Sequence, residues 1–237
     1  MKASDSPVSP PAMTTRFPHP GFAGRAPASL PDRLLALADN ALKTLAGGLH
    51  ASRPTPAAPR GATPRALEDA ERELSGRLMR VNHVGEICAQ ALYQGQALVA
   101  RDPALHAHFT RAARDECDHL AWCRERLREL DSRPSLLDPL WYAGALGLGM
   151  AAGSFGEKLS LGFVVETENQ VEQHLASHLQ RLPQADVESR AVVEQMRADE
   201  VAHATAAEKL GAVPLPAPVR WGMRAAARVM TGTAHWI

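Results

Sequence analysis

Hydrophobic side chains recur every three or four residues along most of the chain after Pro64, which is the period of an α-helix. Prolines and loops divide this part into four long segments. We predict helices at about 65–99 and 103–130, a loop at 132–139, an apolar stretch from Leu140 leading into a helix that ends near 182, a helix at about 185–210, and a final helical segment after Pro218. No alternating pattern of strand length is present, so the sequence predicts an all-α bundle.

The chain before Pro64 has a different composition. Residues 1–30 and 51–64 are rich in proline, alanine and serine, with little apolar periodicity, so we expect both to be mobile. Between them, the spacing of the leucines predicts a short amphipathic helix at 32–45 that docks on a larger body. The predicted domains are a mobile extension at 1–64, a helical bundle at 65–210 and a basic amphipathic C-terminal helix at 211–237.

Charged side chains interrupt the apolar stripe of each predicted bundle helix. Two helices each place a Glu-x-x-His pair where apolar residues belong, and the other two each place a single glutamate there. The six residues are Glu86, Glu116, His119, Glu168, Glu200 and His203. Because residues three apart share one helix face, a carboxylate and an imidazole can reach one metal ion from a single helix. Four carboxylates buried together would be unstable unless a cation compensated their charge.

The same set of residues occurs in both halves of the bundle. Glu86 precedes Glu116 by 30 residues and Glu168 precedes Glu200 by 32, so each half is expected to be a helical hairpin. Ferritin-like di-iron bundles take one glutamate from each of two helices and Glu-x-x-His from each of the other two. The sequence therefore predicts a ferritin-like four-helix bundle with a di-iron centre. Mixed carboxylate and imidazole ligands favour iron first and manganese second.

Several nearby polar residues have alternative interpretations. Glu166 competes with Glu168, which we prefer because it maintains the repeat and lies on the apolar stripe. Asp118 and Glu172 are expected to be solvated, and Tyr93 is interpreted as a core aromatic residue rather than part of a substrate pocket. The histidines expected at the surface or at helix caps are His83, His106, His108, His174 and His178, of which His83 is also close enough to Glu86 to contact a ligand.

Composition and charge narrow the range of functions. The chain has 237 residues, 45% of them hydrophobic, and a formal net charge of zero, so one domain with extensions is expected and nothing indicates attraction to nucleic acid. Cys88, Cys117 and Cys123 have neither zinc-site spacing nor an even count, which favours reduced thiols inside the cell. Prolines interrupt the N-terminus, so a secretory signal peptide is not expected.

Several segments resemble the demethoxyubiquinone hydroxylase family of ubiquinone biosynthesis. They are RVNHVGE (80–86), YQGQ (93–96), DECDH (115–119), FVVETENQVEQHL (163–175) and DEVAH (199–203), followed by the tail LPAPVRWGMRAAARVMTGTAHWI. The resemblance covers about 65–237 and implies that the six residues above are iron ligands. It also implies a di-iron monooxygenase that converts 3-demethoxyubiquinol, a polyprenylated precursor, to 3-demethylubiquinol with dioxygen and an external reductant.

Because the implied substrate carries an apolar prenyl tail, we expect the protein to contact a membrane surface. Residues 140–154 are apolar but too short to span a bilayer, so we expect an interfacial helix there, with Trp141 at the headgroup level. Arg220, Arg224 and Arg228 follow one another at four-residue intervals and give the tail a basic amphipathic pattern. The alternative is a helix packed on the bundle with its arginines in solvent. We expect a peripheral protein on the cytoplasmic side of the cell membrane, with a polyprenyl quinol and other ubiquinone-biosynthesis proteins as partners and no nucleic acid.

Two other functions use the same kind of ligands. One is a rubrerythrin-like peroxidase or manganese catalase, which would need neither the apolar stretch after Leu140 nor the basic tail. The other is a ferroxidase or iron-storage protein, a class that usually assembles into cages. Assays with a ubiquinol precursor and an electron donor separate both from a hydroxylase.

Overall fold

A computed structural model describes residues 30–58 and 65–237 and contains helices and connecting segments, with no strand, in those ranges. In chain order the helices are α1 (Leu30–Ala46), α2 (Asp69–Val99), α3 (Pro103–Glu129), α4 (Asp138–Ser154), α5 (Glu157–Arg181), α6 (Val187–Lys209) and α7 (Ala217–Ala234). Helices α2 and α3 form one hairpin, α5 and α6 form another, and the two hairpins pack together as a four-helix bundle. The predicted all-α, ferritin-like fold is confirmed.

Local sequence signals determine where the bundle helices begin. The Asp102 side chain accepts hydrogen bonds from the backbone N–H groups of Ala104 at 2.6 Å and Leu105 at 3.3 Å, and Pro103 occupies the first helical position of α3. Asp186 caps α6 by accepting a hydrogen bond from the backbone N–H of Ser189 at 3.0 Å. These boundaries agree with those predicted from the prolines within a few residues.

The apolar stretch from Leu140 is a separate helix, α4, and is not continuous with the bundle helix α5. Gly156 lies between them with a φ of 107°, a left-handed conformation that favours glycine. Helix α4 instead packs closely along α2. A Cβ atom at Gly149 would lie 2.2 Å from the Leu92 carbonyl oxygen, and one at Gly95 would lie 2.4 Å from the Leu146 carbonyl oxygen, so only glycine permits this approach.

Two apolar clusters fill the bundle on either side of a polar layer. One cluster, near one end, contains Met79, Trp122, Leu127, Leu175 and Met196. The other contains Tyr93, Phe109, Leu161, Val164 and Ala207. Along each bundle helix the charged residues predicted as ligands come between the members of these clusters, which places them at mid-height in the bundle.

The remaining segments cover the outside of the bundle. Helix α1 spans the predicted 32–45 helix, and the Thr44 hydroxyl is hydrogen-bonded to the side chain of Gln90. Helix α7 lies against α2, where Ala234 packs on Val81 and Val84. None of the helices in the described ranges is long and apolar enough to cross a membrane.

The N-terminal extension is described only in part. Residues 51–58 lie against α3, where the backbone N–H of Ser52 donates to the Asp118 carboxylate at 2.6 Å. Residues 1–29 and 59–64 lie outside the described residues. The mobility expected of the extension and the three-part division of the chain stay predictions.

Three side chains expected at the surface are buried instead. His83, His178 and Asp118 have relative exposures of 0%, 1% and 2%. The outer faces of the bundle helices are covered by segments from elsewhere in the chain, which the pattern within each helix does not show. Glu172, also expected to be solvated, is partly exposed and pairs with Arg197 at 2.6 Å.

Candidate metal centre

The six residues predicted as ligands lie together in the polar layer of the bundle. They are Glu86 from α2, Glu116 and His119 from α3, Glu168 from α5, and Glu200 and His203 from α6. All except His203 are at most 1% exposed, and the His203 side chain is 15% exposed. The structure therefore brings together every residue of the set.

Their potential ligand atoms form two overlapping groups. The first consists of Glu86, Glu116, His119 and Glu200, and the second consists of Glu116, Glu168, Glu200 and His203. Within each group, one nitrogen or oxygen atom from each residue lies within 4.8 Å of the others. Glu116 and Glu200 belong to both groups. This overlap fits two adjacent metal ions that share two carboxylates, each with one further glutamate and one histidine of its own.

Both imidazoles turn the same nitrogen towards the carboxylates. The Nδ1 atom of His119 lies 3.1 Å from Glu116 Oε2 and 3.3 Å from Glu86 Oε2. The Nδ1 atom of His203 lies 3.3 Å from Glu200 Oε2. The Nε2 atoms therefore face away from the centre, where they can donate to other residues and leave Nδ1 free for a metal.

An aspartate precedes the glutamate in each Glu-x-x-His motif and faces the histidine of the opposite motif. His119 Nε2 donates to Asp199 Oδ2 at 3.0 Å, while His203 Nε2 lies 3.6 Å from Asp115 Oδ2. Acceptors in this position orient metal-binding histidines and raise their basicity. The pattern of apolar positions does not assign these aspartates a role, although the Asp-Glu pair repeated in both motifs is a sequence signal for them.

Burial and neighbouring charges control protonation in the centre. Burial, reinforced by neighbouring carboxylates, raises the pKa of Glu86 and Glu168 well above the ordinary value. Burial alone would also raise the pKa of Glu116, but His119 and His203 outweigh it and hold this pKa below its usual range. Burial alone would lower the pKa of His203, but Glu116 and Glu200 raise it to about 11. The charges of the cluster therefore favour positive charge among the four carboxylates.

The donor set fits two metal cations. Within the described part of the chain, Glu116 Oε1, Glu168 Oε2 and Glu200 Oε1 are buried and have no hydrogen-bond partner. Buried carboxylate oxygens without donors are unfavourable, and a bound cation is a common form of compensation. Four carboxylates and two imidazoles suit iron or manganese better than structural zinc, which prefers thiolates and imidazoles in tetrahedral sites.

Tyr93 lies beside the centre, and its hydroxyl donates to Glu168 Oε1. Burial raises the pKa of Tyr93 well above its ordinary value, so the phenol retains the proton that it donates. Glu166 lies on another side of α5, where its carboxylate accepts from Gln170 Nε2 at 2.7 Å and lies 3.4 Å from Arg224 Nη1. The structure thus places Glu168, and not Glu166, among the candidate ligands.

A cavity of about 450 Å³ reaches this centre from the side of the bundle. Its walls come from α2, α4, α5 and α7, and they are mostly apolar. Glu86 is one of the lining residues, while Met223 and Met230 of α7 contribute on the other side. The cavity therefore links a candidate metal ligand to the two outer helices.

Four helices carrying two Glu-x-x-His pairs and two single glutamates around one buried layer define the ferritin-like class of carboxylate helical bundles. Within it, the chain belongs to the family of the ubiquinone biosynthesis protein COQ7, which matches residues 73–234 and confirms the family expected from the motifs.

Three relatives from this family are each named 3-demethoxyubiquinol 3-hydroxylase. The protein from Polaromonas naphthalenivorans is 61% identical over 87% of this chain and 98% of its own length. The protein from Albidiferax ferrireducens is 59% identical over 89% of this chain and 100% of its own length. The protein from Ralstonia pickettii is 56% identical over 87% of this chain and 99% of its own length.

Proposed function

We propose that this protein is a di-iron monooxygenase that hydroxylates the quinol ring of a polyprenylated ubiquinone precursor. The reaction converts 3-demethoxyubiquinol to 3-demethylubiquinol with dioxygen and an external reductant. The family and the names of its relatives support this proposal. The observation that carries it is the apolar cavity that joins Glu86, in the buried carboxylate and histidine cluster, to the outer helices.

The chain's own residues hold and orient the metal centre. Glu86 and His119 would hold one iron ion and Glu168 and His203 the other, while Glu116 and Glu200 belong to both groups of candidate ligands. When bound, iron supplies the redox chemistry that activates dioxygen. Asp199 accepts the Nε2 hydrogen of His119, and Tyr93 donates to Glu168, so that both ligands are held in place. The apolar clusters above and below the centre exclude water from it.

The cavity has polar groups suited to a quinol ring. Asn82 Oδ1 and His174 Nε2 belong to residues that line it, and neither atom has a hydrogen-bond partner within the described ranges. Burial lowers the pKa of His174 to about 4, so the imidazole is neutral at physiological pH. We propose that these atoms bind the quinol hydroxyls while the apolar walls contact the beginning of the prenyl tail.

Helices α4 and α7 are the proposed contact with the membrane. Leu140 and Leu148 of α4, and Phe155 directly after it, are between 54% and 76% exposed, and Trp221 and Val229 of α7 are 75% and 60% exposed. Because both helices also line the cavity, a prenyl tail would pass from lipid to the centre without crossing water. We propose a peripheral location on the cytoplasmic face of the cell membrane, where other ubiquinone-biosynthesis proteins are also partners.

Replacement of Glu168 tests the centre, with Glu166 as the matched control two residues away. We expect Glu168→Gln to reduce bound iron from two ions per chain and to lower hydroxylation at least about 100-fold, because one ligand loses its charge. Glu166→Gln, which changes only contacts with Gln170 and with Arg224 of α7, should retain the iron and at least about half of the activity. Iron content of the purified proteins and mass spectrometry of quinones in a strain lacking its own hydroxylase provide the measurements.

The reverse pattern, with only Glu166→Gln inactive, would move the ligand to Glu166. The iron-loaded wild-type protein could instead convert no ubiquinol precursor and rapidly break down peroxide or oxidise iron. That result would favour the peroxidase, catalase or ferroxidase alternatives. Those reactions use small hydrophilic substrates, for which an apolar cavity of about 450 Å³ has no evident use.

A further inference from the structure

Arg53 extends from the N-terminal segment to the outer side of the candidate metal centre. Its Nε atom lies 2.6 Å from Asp118 Oδ2, and its Nη1 atom lies 2.9 Å from Asp199 Oδ2. The same oxygen of Asp199 accepts the hydrogen bond from His119 Nε2 at 3.0 Å. One guanidinium therefore connects two aspartates, one of which orients a candidate metal ligand.

The surrounding residues hold Arg53 in this position. Its guanidinium carbon lies 4.7 Å from the centre of the Trp122 ring, a cation–π contact, and Trp122 Nε1 donates to the Arg53 carbonyl oxygen at 3.4 Å. Ser52 donates to Asp118 through both its backbone N–H and its hydroxyl. The Trp122 ring centre is also 5.4 Å from that of His119. The segment thus makes a specific contact next to the centre.

The two histidines of the centre differ in the carboxylates that face their Nε2 atoms. His119 donates to Asp199, whose side chain is 18% exposed and is paired with Arg53. His203 faces Asp115, which is 57% exposed and 3.6 Å away, and which has no ion pair with a lysine or arginine in the part of the chain that the structure describes. The two metal positions are therefore not equivalent, although their ligands repeat.

We propose that Arg53 is a positioning residue for the metal position formed by Glu86 and His119. Its planar fork of donors spans Asp118 and Asp199 at once, which keeps the Asp199 carboxylate on His119 and leaves Nδ1 directed at the metal. This inference rests on the proposed di-iron function. Arg53 lies outside residues 73–234, the part matched by the family, so the extension contributes to the centre from beyond that region.

Titration of the metal-depleted, full-length protein with Co²⁺ under anaerobic conditions, followed by visible absorption, tests the role of Arg53. The wild-type protein should bind two ions. In Arg53→Ala we expect one ion to bind about 10-fold more weakly and the other to be unchanged, because outer residues of this kind typically change metal affinity by that factor or more. Arg53→Lys, which retains the charge but not the fork, should give a smaller loss.

Thr55→Val is the matched control, because Thr55 also attaches residues 51–58 to α3. The Thr55 hydroxyl donates to Glu125 and does not touch either aspartate, so this variant should bind both ions as the wild type does. Asp199→Asn should reproduce the selective loss, and addition of Arg53→Ala to it should cause little further change, because both act through one contact.

Unchanged binding of both ions by Arg53→Ala would overturn the proposal, as would equal weakening of both ions or additive losses in the double variant. If Arg53→Ala fails to fold, as shown by its thermal unfolding, the comparison of Asp199→Asn with Asp115→Asn decides instead: only the first should weaken one ion strongly. A wild-type protein that binds no Co²⁺ would overturn the metal centre itself, and with it the proposed function.

Discussion

At the scale of single residues, the burial of His178 makes the stability of the folded protein depend on pH. His178 is 1% exposed, and its ring centre lies 4.0 Å from that of His174. Burial, with His174, Arg181 and His235 acting in the same direction, lowers the pKa of His178 to about 2. In the unfolded chain a histidine has a pKa of about 6.5. At mildly acidic pH, His178 is therefore neutral in the folded protein and protonated in the unfolded chain.

We expect His178 to lower the stability of the protein as the pH falls. Below about pH 6.5 the unfolded state is favoured by proton uptake, and between pH 7 and 5 this should remove about 1–2 kcal/mol from the free energy of unfolding. His178→Gln should have a flatter dependence on pH than the wild type, even if its stability at pH 7 is lower. Urea denaturation at several pH values measures this, with exposed His50→Gln as the control. Parallel curves for wild type and His178→Gln would contradict the prediction.

At the scale of elements, the crossing of α2 and α4 depends on glycine. A Cβ at position 149 would meet the backbone of Leu92 at 2.2 Å for the carbonyl oxygen and 2.9 Å for the Cα. Backbone atoms in a packed helix cannot move aside in the way that a flexible side chain can. Since α4 lines the cavity, its distance from α2 also determines the shape of the proposed substrate site.

Gly149→Ala should therefore force α4 away from α2. We expect a loss of about 1–3 kcal/mol in the free energy of unfolding, which is the usual effect of overpacking, and a lower thermal midpoint. Gly147→Ala is the control in the same helix, because a Cβ there meets nothing within 4 Å. This variant should be neutral or more stable by up to about 1 kcal/mol, since alanine favours helix. Equal melting temperatures for the two variants would show that the crossing tolerates a methyl group.

At the scale of the whole molecule, basic and apolar side chains lie on the helices that line the cavity. Arg224 and Arg228 of α7 line it, together with Trp141 and Leu148 of α4. A polyprenyl quinol stays in lipid, so a protein that acts on it benefits from a surface that binds anionic headgroups and admits an apolar tail. This arrangement supports the proposed orientation at the membrane.

Charge reversal in α7 tests this orientation. Each basic residue near an anionic surface contributes about 1 kcal/mol, so replacement of Arg220, Arg224 and Arg228 by glutamate should weaken sedimentation with anionic vesicles at low salt, and the difference should fade at high salt. Turnover of a long-tailed quinol should fall while a short-tailed analogue is still hydroxylated. The control reverses Arg101, Arg111 and Arg114, three exposed residues of α3 and the loop before it, and should leave vesicle binding unchanged. Equal vesicle binding by both triple variants would leave α4 as the membrane contact.

The sequence alone determined the helices and the set of candidate ligands, because both depend on local geometry. The 3.6-residue period and the prolines define helix positions, and two residues three apart must share a face wherever their helix lies. Only the tertiary structure decided which segments cover the bundle. It separated α4 from α5 at Gly156, buried His178, paired Asp199 with the histidine of the opposite motif and brought Arg53 to that aspartate. Each of these results depends on contacts between residues distant in the chain, and no periodicity within one helix specifies which distant residue will lie against it.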